Sequence, residues 1–129
     1  MHLDLQFTTE KIPRPVPFSE AVGCSGAQVE FYGLVRDDEQ GVRISGLRYE
    51  IYQVMAEQEI RRILHELETE FPCRKALIIH RHGFIPVGEA AIYVGILAAH
   101  RQEAFGLLSV FMDRLKQSVP IWKTEAVPC

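Results

Sequence analysis

The stretch Met112-Asp113-Arg114-Leu115-Lys116-Gln117-Ser118-Val119-Pro120-Ile121-Trp122-Lys123-Thr124-Glu125 places two lysines on either side of a proline. Proline cannot continue a helix and biases the residue before it toward extended geometry, so the chain must change from helix to extended segment near Val119. An extended segment folding back beside a helix end can bring Lys116 and Lys123 to one site. Two such ammonium groups, partly screened from water, depress each other's pKa toward the range useful for proton transfer or amine chemistry. The structural alternative is a solvated helix end, where lysine meets the C-terminal dipole favourably.

Two further places carry basic side chains at element boundaries. Arg36 follows the apolar alternation Val29, Phe31, Gly33 and precedes the polar loop Asp37-Asp38-Glu39-Gln40-Gly41. From a strand end its guanidinium can reach a ligand; pairing with the three neighbouring acids is the alternative. His100-Arg101 stand between an apolar run and the start of an amphipathic pattern, where the free backbone N–H groups of a helix N-terminus favour an anion such as phosphate. His80 and His82 share a strand face, with His100 downstream, but no HExxH pattern or completing carboxylate or cysteine gives a metal-ligand spacing. No metal or other cofactor is expected, and core or strand-end histidines are.

The elements that must position these residues follow from periodicity. Leu3, Leu5 and Phe7 alternate with polar residues, predicting a first strand; Ile12-Pro13-Arg14-Pro15-Val16-Pro17 must be an extended connector. A brief helix over 18–22 precedes a second strand at 28–36, in which Gly33 marks a bulge or close approach. A third strand at 44–52 is expected to pair with the second as a hairpin. Ile60, Ile63, Leu64, Leu67 and Phe71 then define a helix over 54–71, stopped by Pro72. A strand at 76–80 and a turn-rich segment at 84–89 lead to Ala90–Ala99, apolar on both faces and therefore a central strand. Ala104, Leu107, Leu108, Phe111 and Leu115 give the second long helix its buried stripe.

With 129 residues, 47% hydrophobic and 24% charged, the chain has the profile of one soluble globular domain, spanning 1–129. Residues 1–73 hold 7 Lys/Arg against 13 Asp/Glu, and residues 74–129 hold 7 against 4. The second half therefore suits an anionic ligand or acidic partner. The overall charge of −3 and the lack of a basic, aromatic-studded strand speak against nucleic acid. Three widely spaced cysteines, no signal-type apolar segment and no membrane-length run suggest a reduced, cytoplasmic protein away from membranes.

Taken together, several short blocks resemble the large, catalytic subunit of molybdopterin synthase. They are Gly33-x-Val35-Arg36, Leu47-x-Tyr49-Glu50-x-Tyr52 with Met55-Ala56-Glu57, His80-Arg81-x-Gly83, Val87-Gly88-Glu89, Ala99-His100-Arg101, Met112-Asp113-x-Leu115-Lys116 and Pro120-Ile121-Trp122-Lys123-x-Glu125. Their order and spacing match across roughly residues 28–125.

The resemblance implies an α+β fold of the α/β hammerhead type, mostly antiparallel with two long helices. It implies an enzyme that moves sulfur from the C-terminal thiocarboxylate of a small ubiquitin-like partner, ending in Gly-Gly, to cyclic pyranopterin monophosphate. Two rounds build the dithiolene of molybdopterin, a step in molybdenum cofactor biosynthesis. It further implies a homodimer within a heterotetramer. Residue by residue, it places the catalytic lysines on Lys116 and Lys123 and the substrate-phosphate ligands on His100 and Arg101. Another pocket arginine falls on Arg36, with Met112 walling the tunnel one turn before Lys116. These basic residues are then expected to share a single pocket. A non-catalytic anion-binding or partner-docking module of the same fold is the alternative. Family members commonly continue past the Trp-Lys-x-Glu block with a tail containing glycine and tryptophan; this sequence reads Ala126-Val127-Pro128-Cys129 there, so no tail ligand is assigned.

Overall fold

The computed structural model describes residues 1–18, 23 and 25–129. The helix expected over 18–22, Phe18 apart, and the Cys24 thiol lie outside the described residues. In chain order the elements are β1 (His2–Thr8), β2 (Ala27–Leu34), β3 (Asp38–Glu39), β4 (Val42–Ile51), α1 (Gln53–Leu67), β5 (Lys75–Arg81), β6 (Gly83–Pro86), β7 (Ala90–Ala98), α2 (Arg101–Ser118) and β8 (Ile121–Pro128). This is the expected α+β class, with two long helices and mostly antiparallel pairing.

One sheet has the order β1-β5-β7-β2. β7 runs antiparallel to both neighbours, and β1 pairs with β5 in parallel, the exception to the antiparallel pattern. Every residue of β7 is buried, as its unbroken apolar run requires. On one face Ile78, Ile92, Val94 and Ile96 meet Ile60, Ile63 and Leu64 of α1 and Leu107 and Phe111 of α2. On the other, Leu77, Ile79, Tyr93 and Leu97 are covered by Ile12, Val16 and Phe18. The proline-rich connector is thus a packing element for the sheet's second face. Burying Ile12 and Val16 there contributes roughly 1.5–3 kcal/mol each, and the Val16 N–H donates to the Tyr32 hydroxyl at 2.8 Å.

β4 is the hub of a second sheet. Residues 46–49 pair with β6 along one edge and β8 along the other, while Val42 and Arg43 pair with β3. Val35, Ile44, Leu47 and Ile85 bury against Ala91 of β7, which joins the two sheets.

Three expectations are corrected. β2 and β4 do not form a hairpin: β2 pairs with β7, and the two strands belong to different sheets. The turn at Gly41 is real, but it closes β3 on β4, with Gln40 (φ 53°) and Gly41 (φ 84°) supplying two consecutive positive φ values. Such a turn matches the twist of tightly joined antiparallel strands. The doubly apolar β7 offers β2 a far larger buried edge than the polar loop could. The segment at 84–89 is not all turn, because Gly83–Pro86 forms β6 and only then does Gly88 (φ 87°) reverse the chain. Pro86 is tolerated because β6 is an edge strand paired with β4 on one side. Finally, α1 ends at Leu67, earlier than expected; Phe71 is reached through a turn in which its N–H donates to the Leu67 carbonyl.

Candidate active site

A cavity of about 760 Å³ opens where the ends of β2, β5 and β7 meet β4, β8 and the C-terminal turn of α2. That volume lies within the usual range for small-molecule sites. Arg36, Met112, Lys116 and Lys123 all line it, together with Asp38, Glu39, Tyr49 and His80.

The helix-to-strand change around Pro120 builds this corner. The Val119 N–H closes α2 on the Leu115 carbonyl at 3.1 Å, and Val119 then adopts extended geometry (φ −84°, ψ 132°). The Pro120 carbonyl accepts the Tyr52 N–H at 3.1 Å, which starts β8 along β4. Lys116, one turn after Met112 and beside the buried Leu115, projects from the helix end. Lys123 pairs with Tyr49 where the β4–β8 register shifts. Trp122, the neighbour of Lys123, is 53% exposed and is not packed tightly enough to position the lysine. Strand pairing does that work, helped by an ion pair of 3.4 Å from the Lys123 Nζ to Glu39 Oε2.

Arg36 reaches the cavity because β2 is deformed just before it. The β2–β7 register shifts between Gly33 and Leu34. A Cβ on Gly33 would stand 2.7 Å from Ile92 Cγ2, so only glycine permits this approach of β2 to β7. The Val35 N–H and carbonyl are then bonded to Glu89 and Gly88, fixing the exit direction of the chain. Arg36 is not paired with the acids beside it: Asp37 turns to Arg43 at 3.7 Å and Glu39 to Lys123. Among the described residues, Arg36 and Lys116 form no ion pair.

His80 is a cavity residue that the sequence reading treated only as a core or strand-end histidine. It is 5% exposed, and its Nδ1 lies 2.9 Å from the Arg81 carbonyl. Nδ1–H is therefore the donor, and Nε2 carries the lone pair. Burial, with nearby His82 in support, pushes the imidazole down to about 4, so it is neutral at physiological pH. The Tyr49 ring stands edge-on to it at 5.8 Å, and burial raises the Tyr49 phenol, with the Glu39 charge adding to the effect. The available signal was parity: His80 shares the helix-covered face of β5 with Ile78, at the open end of that face. His82 approaches Gln53 instead, at 3.4 Å. Among the described residues no group of three His, Cys, Asp or Glu is placed to hold a metal ion.

His100 and Arg101 are elsewhere. They begin α2, whereas Lys116 is near its end, and fifteen residues of helix separate Arg101 from Lys116 by roughly 22 Å. Neither residue lines the cavity. The expected single pocket is therefore not formed within one chain, a consequence of helix rise alone. The helix start also has its own anion: the Glu103 carboxylate accepts the His100 N–H at 3.1 Å and meets the His100 Nδ1 at 3.3 Å.

Three cations, two carboxylates, a neutral imidazole and apolar walls make the cavity suited to a small anionic ligand held beside two amines. Fold and site together define an α+β domain with a cavity lined by basic side chains. The chain belongs to the MoaE protein family, whose sequence profile matches residues 7–118. It is 44% identical over 120 residues to the molybdopterin synthase catalytic subunit of Pyrococcus abyssi, covering 89% of this chain and 81% of that one. With the subunit of the same description from Rattus norvegicus it shares 36% identity over 122 residues, covering 94% of this chain. The chain spans only 61% of the length of that rat relative. Among solved structures, molybdopterin synthase from Staphylococcus aureus superposes with a TM-score of 0.81 at 30% identity, covering 91% of this chain and 86% of that one.

Proposed function

We propose that residues 1–129 act as one catalytic domain that transfers sulfur from the C-terminal thiocarboxylate of a small Gly-Gly-ended partner to cyclic pyranopterin monophosphate. The observation carrying this reading is the convergence on one cavity of Arg36 after β2, Met112 and Lys116 from α2, and Lys123 from β8. The relatives are described as catalytic subunits, a description that presupposes a further subunit.

In this reading Arg36 holds the substrate anion. Lys123 holds the thiocarboxylate. Lys116 moves the protons needed as sulfur attacks and the cyclic phosphate opens, because negative charge develops there and an amine can both stabilise it and exchange a proton. Apolar walls that include Leu47, Met112 and Ile121 limit water beside the thiocarboxylate. His100 and Arg101, remote from this cavity within the chain, serve substrate phosphate at the cavity of a second copy in a homodimer, which with two partner chains forms a heterotetramer. No helix among the described residues is long and apolar enough to cross a membrane; we place the reaction in the cytoplasm.

The test is reconstitution of the chain with a thiocarboxylated partner and the pyranopterin substrate. Molybdopterin is the expected product. Absence of conversion with a partner that is competent on another synthase would leave a non-catalytic anion-binding or docking module.

A further inference from the structure

The cavity that is to receive an anion already contains one beside its cation. Glu39 Oε2 lies 3.4 Å from Lys123 Nζ, and both residues line the cavity. The two side chains are 26% and 50% exposed, so the carboxylate is the better shielded partner. Glu39 sits on the two-residue strand β3, paired with Val42 and closed by the turn at Gln40 and Gly41. Its backbone is thereby held at the cavity wall rather than left on a long loop. Its charge is also felt by Tyr49, the residue opposite Lys123 in the β4–β8 pairing. A carboxylate there opposes entry of a second anion, and that opposition calls for an explanation.

We propose that Glu39 is a positioning residue for Lys123: it holds the ammonium in place while the cavity is empty and is exchanged for the incoming anion. This rests on the assignment of Lys123 as an anion-holding cation under the proposed function. Physically, Lys123 is a strongly hydrated point charge on a flexible stem. Pairing it with a carboxylate fixed by a hairpin keeps it directed at the cavity. Because the pair is partly exposed, it is weak enough to be displaced. An anion that binds Lys123 must first compete with Glu39, and an anion held elsewhere in the cavity need not.

The exchange predicts coupling between the two residues. Inorganic sulfate is the probe, titrated into the isotopically labelled chain and followed by NMR at the Gly33 and Tyr49 amides, which flank the cavity. Wild type, Glu39→Gln, Lys123→Ala and the double variant form the cycle. Glu39→Gln should tighten sulfate by about two- to fivefold, the range of an exposed ion pair, and this gain should disappear in the Lys123→Ala background. An equal gain in both backgrounds overturns the proposal, since Glu39 would then act as a general field. An unchanged affinity in Glu39→Gln, or no sulfate response in any of the four proteins, overturns it as well. The outcome is separable from the proposed activity. Coupling without conversion in the reconstitution would retain the exchange and reject the sulfur transfer, and conversion with additive variants would do the reverse.

Discussion

At its N-terminus α2 carries His100 and Arg101 into solvent, where Glu103 folds back on the His100 N–H. At its C-terminus the same helix delivers Met112 and Lys116 to a cavity also reached by Arg36, His80 and Lys123. Both ends show basic residues at a helix boundary, and each by itself reads as an anion site. What separates them is the number of independent elements that arrive. The C-terminal end meets β2, β4, β7 and β8, whose apolar side chains supply walls and restrict water, and His80 of β5. The N-terminal end meets its own first-turn carboxylate, which satisfies the local dipole without a ligand. Charge type at a helix end is therefore a weak signal; convergence of distant segments is the stronger one.

Removing the cavity amine should break the comparison most severely. Lys116→Ala is expected to lower sulfur transfer by about 10²–10⁴-fold, the usual contribution of a general acid–base group, and Lys123→Ala to lower it less. Lys116→Arg should not rescue, because guanidinium keeps its charge but does not readily release a proton near neutral pH. Single-turnover product formation is the measurement, with folding checked separately. A fully active Lys116→Arg would leave Lys116 only an electrostatic role. If the two ends serve one pocket across copies, mixing Lys116→Ala and Arg101→Ala chains should restore activity that neither variant has alone.

A different asymmetry lies in acid stability. Folding holds His80 at about 4, against 6.5 for a free imidazole. Between these values the unfolded chain binds a proton that the folded chain does not. The stabilising contribution is thus fully present above pH 6.5 and is lost as pH falls toward about 4. The interval corresponds to about 3 kcal/mol for this buried group. Glu59 and Glu66 are held below the usual carboxylate range by hydrogen bonds from Arg62 and Arg114, so their contribution is lost only at lower pH. His80→Gln should flatten the dependence of the urea midpoint on pH between about 6.5 and 4.5. An equally steep profile in that variant would remove His80 as its source.

Much of the fold was legible because the signals are local. β7 announces itself by apolar residues on both faces, α1 and α2 by their stripes, and the break at Val119 by Pro120. The break made the two lysines candidates for one site and the strand end made Arg36 a candidate ligand, while Met112 and the joining of these residues in one pocket came from the family resemblance. Pairing was less legible. Nothing in residues 28–52 says that β2 will seek β7, because the choice depends on burial supplied sixty residues later. His80 was missed for a related reason: its value lies in the space left at the end of a sheet face, a tertiary property. The separation of His100 from Lys116 was available all along from the rise of a helix.

The smallest expected effect concerns the N-terminal end alone. Glu103 supplies an acceptor for the His100 N–H and a negative charge in the first turn of α2. Glu103→Ala removes both, which costs about 1 kcal/mol at a typical cap, offset by a few tenths because alanine is the better helix former. The net loss should appear as a downward shift of the urea midpoint with unchanged slope. Glu103→Gln, which keeps the acceptor and loses the charge, should lose less, and added salt should narrow its difference from wild type. Within one chain the cavity lies roughly 22 Å along the helix, so Glu103 reaches the sulfate affinity read at Gly33 and Tyr49 only through the cavity of a second copy. Distant sites without shared partners behave additively, so a cavity response to Glu103→Ala would support a helix start that serves the neighbouring copy, and no response would count against it. Unaltered stability in Glu103→Ala would instead mean that water serves the His100 N–H as well as the carboxylate does.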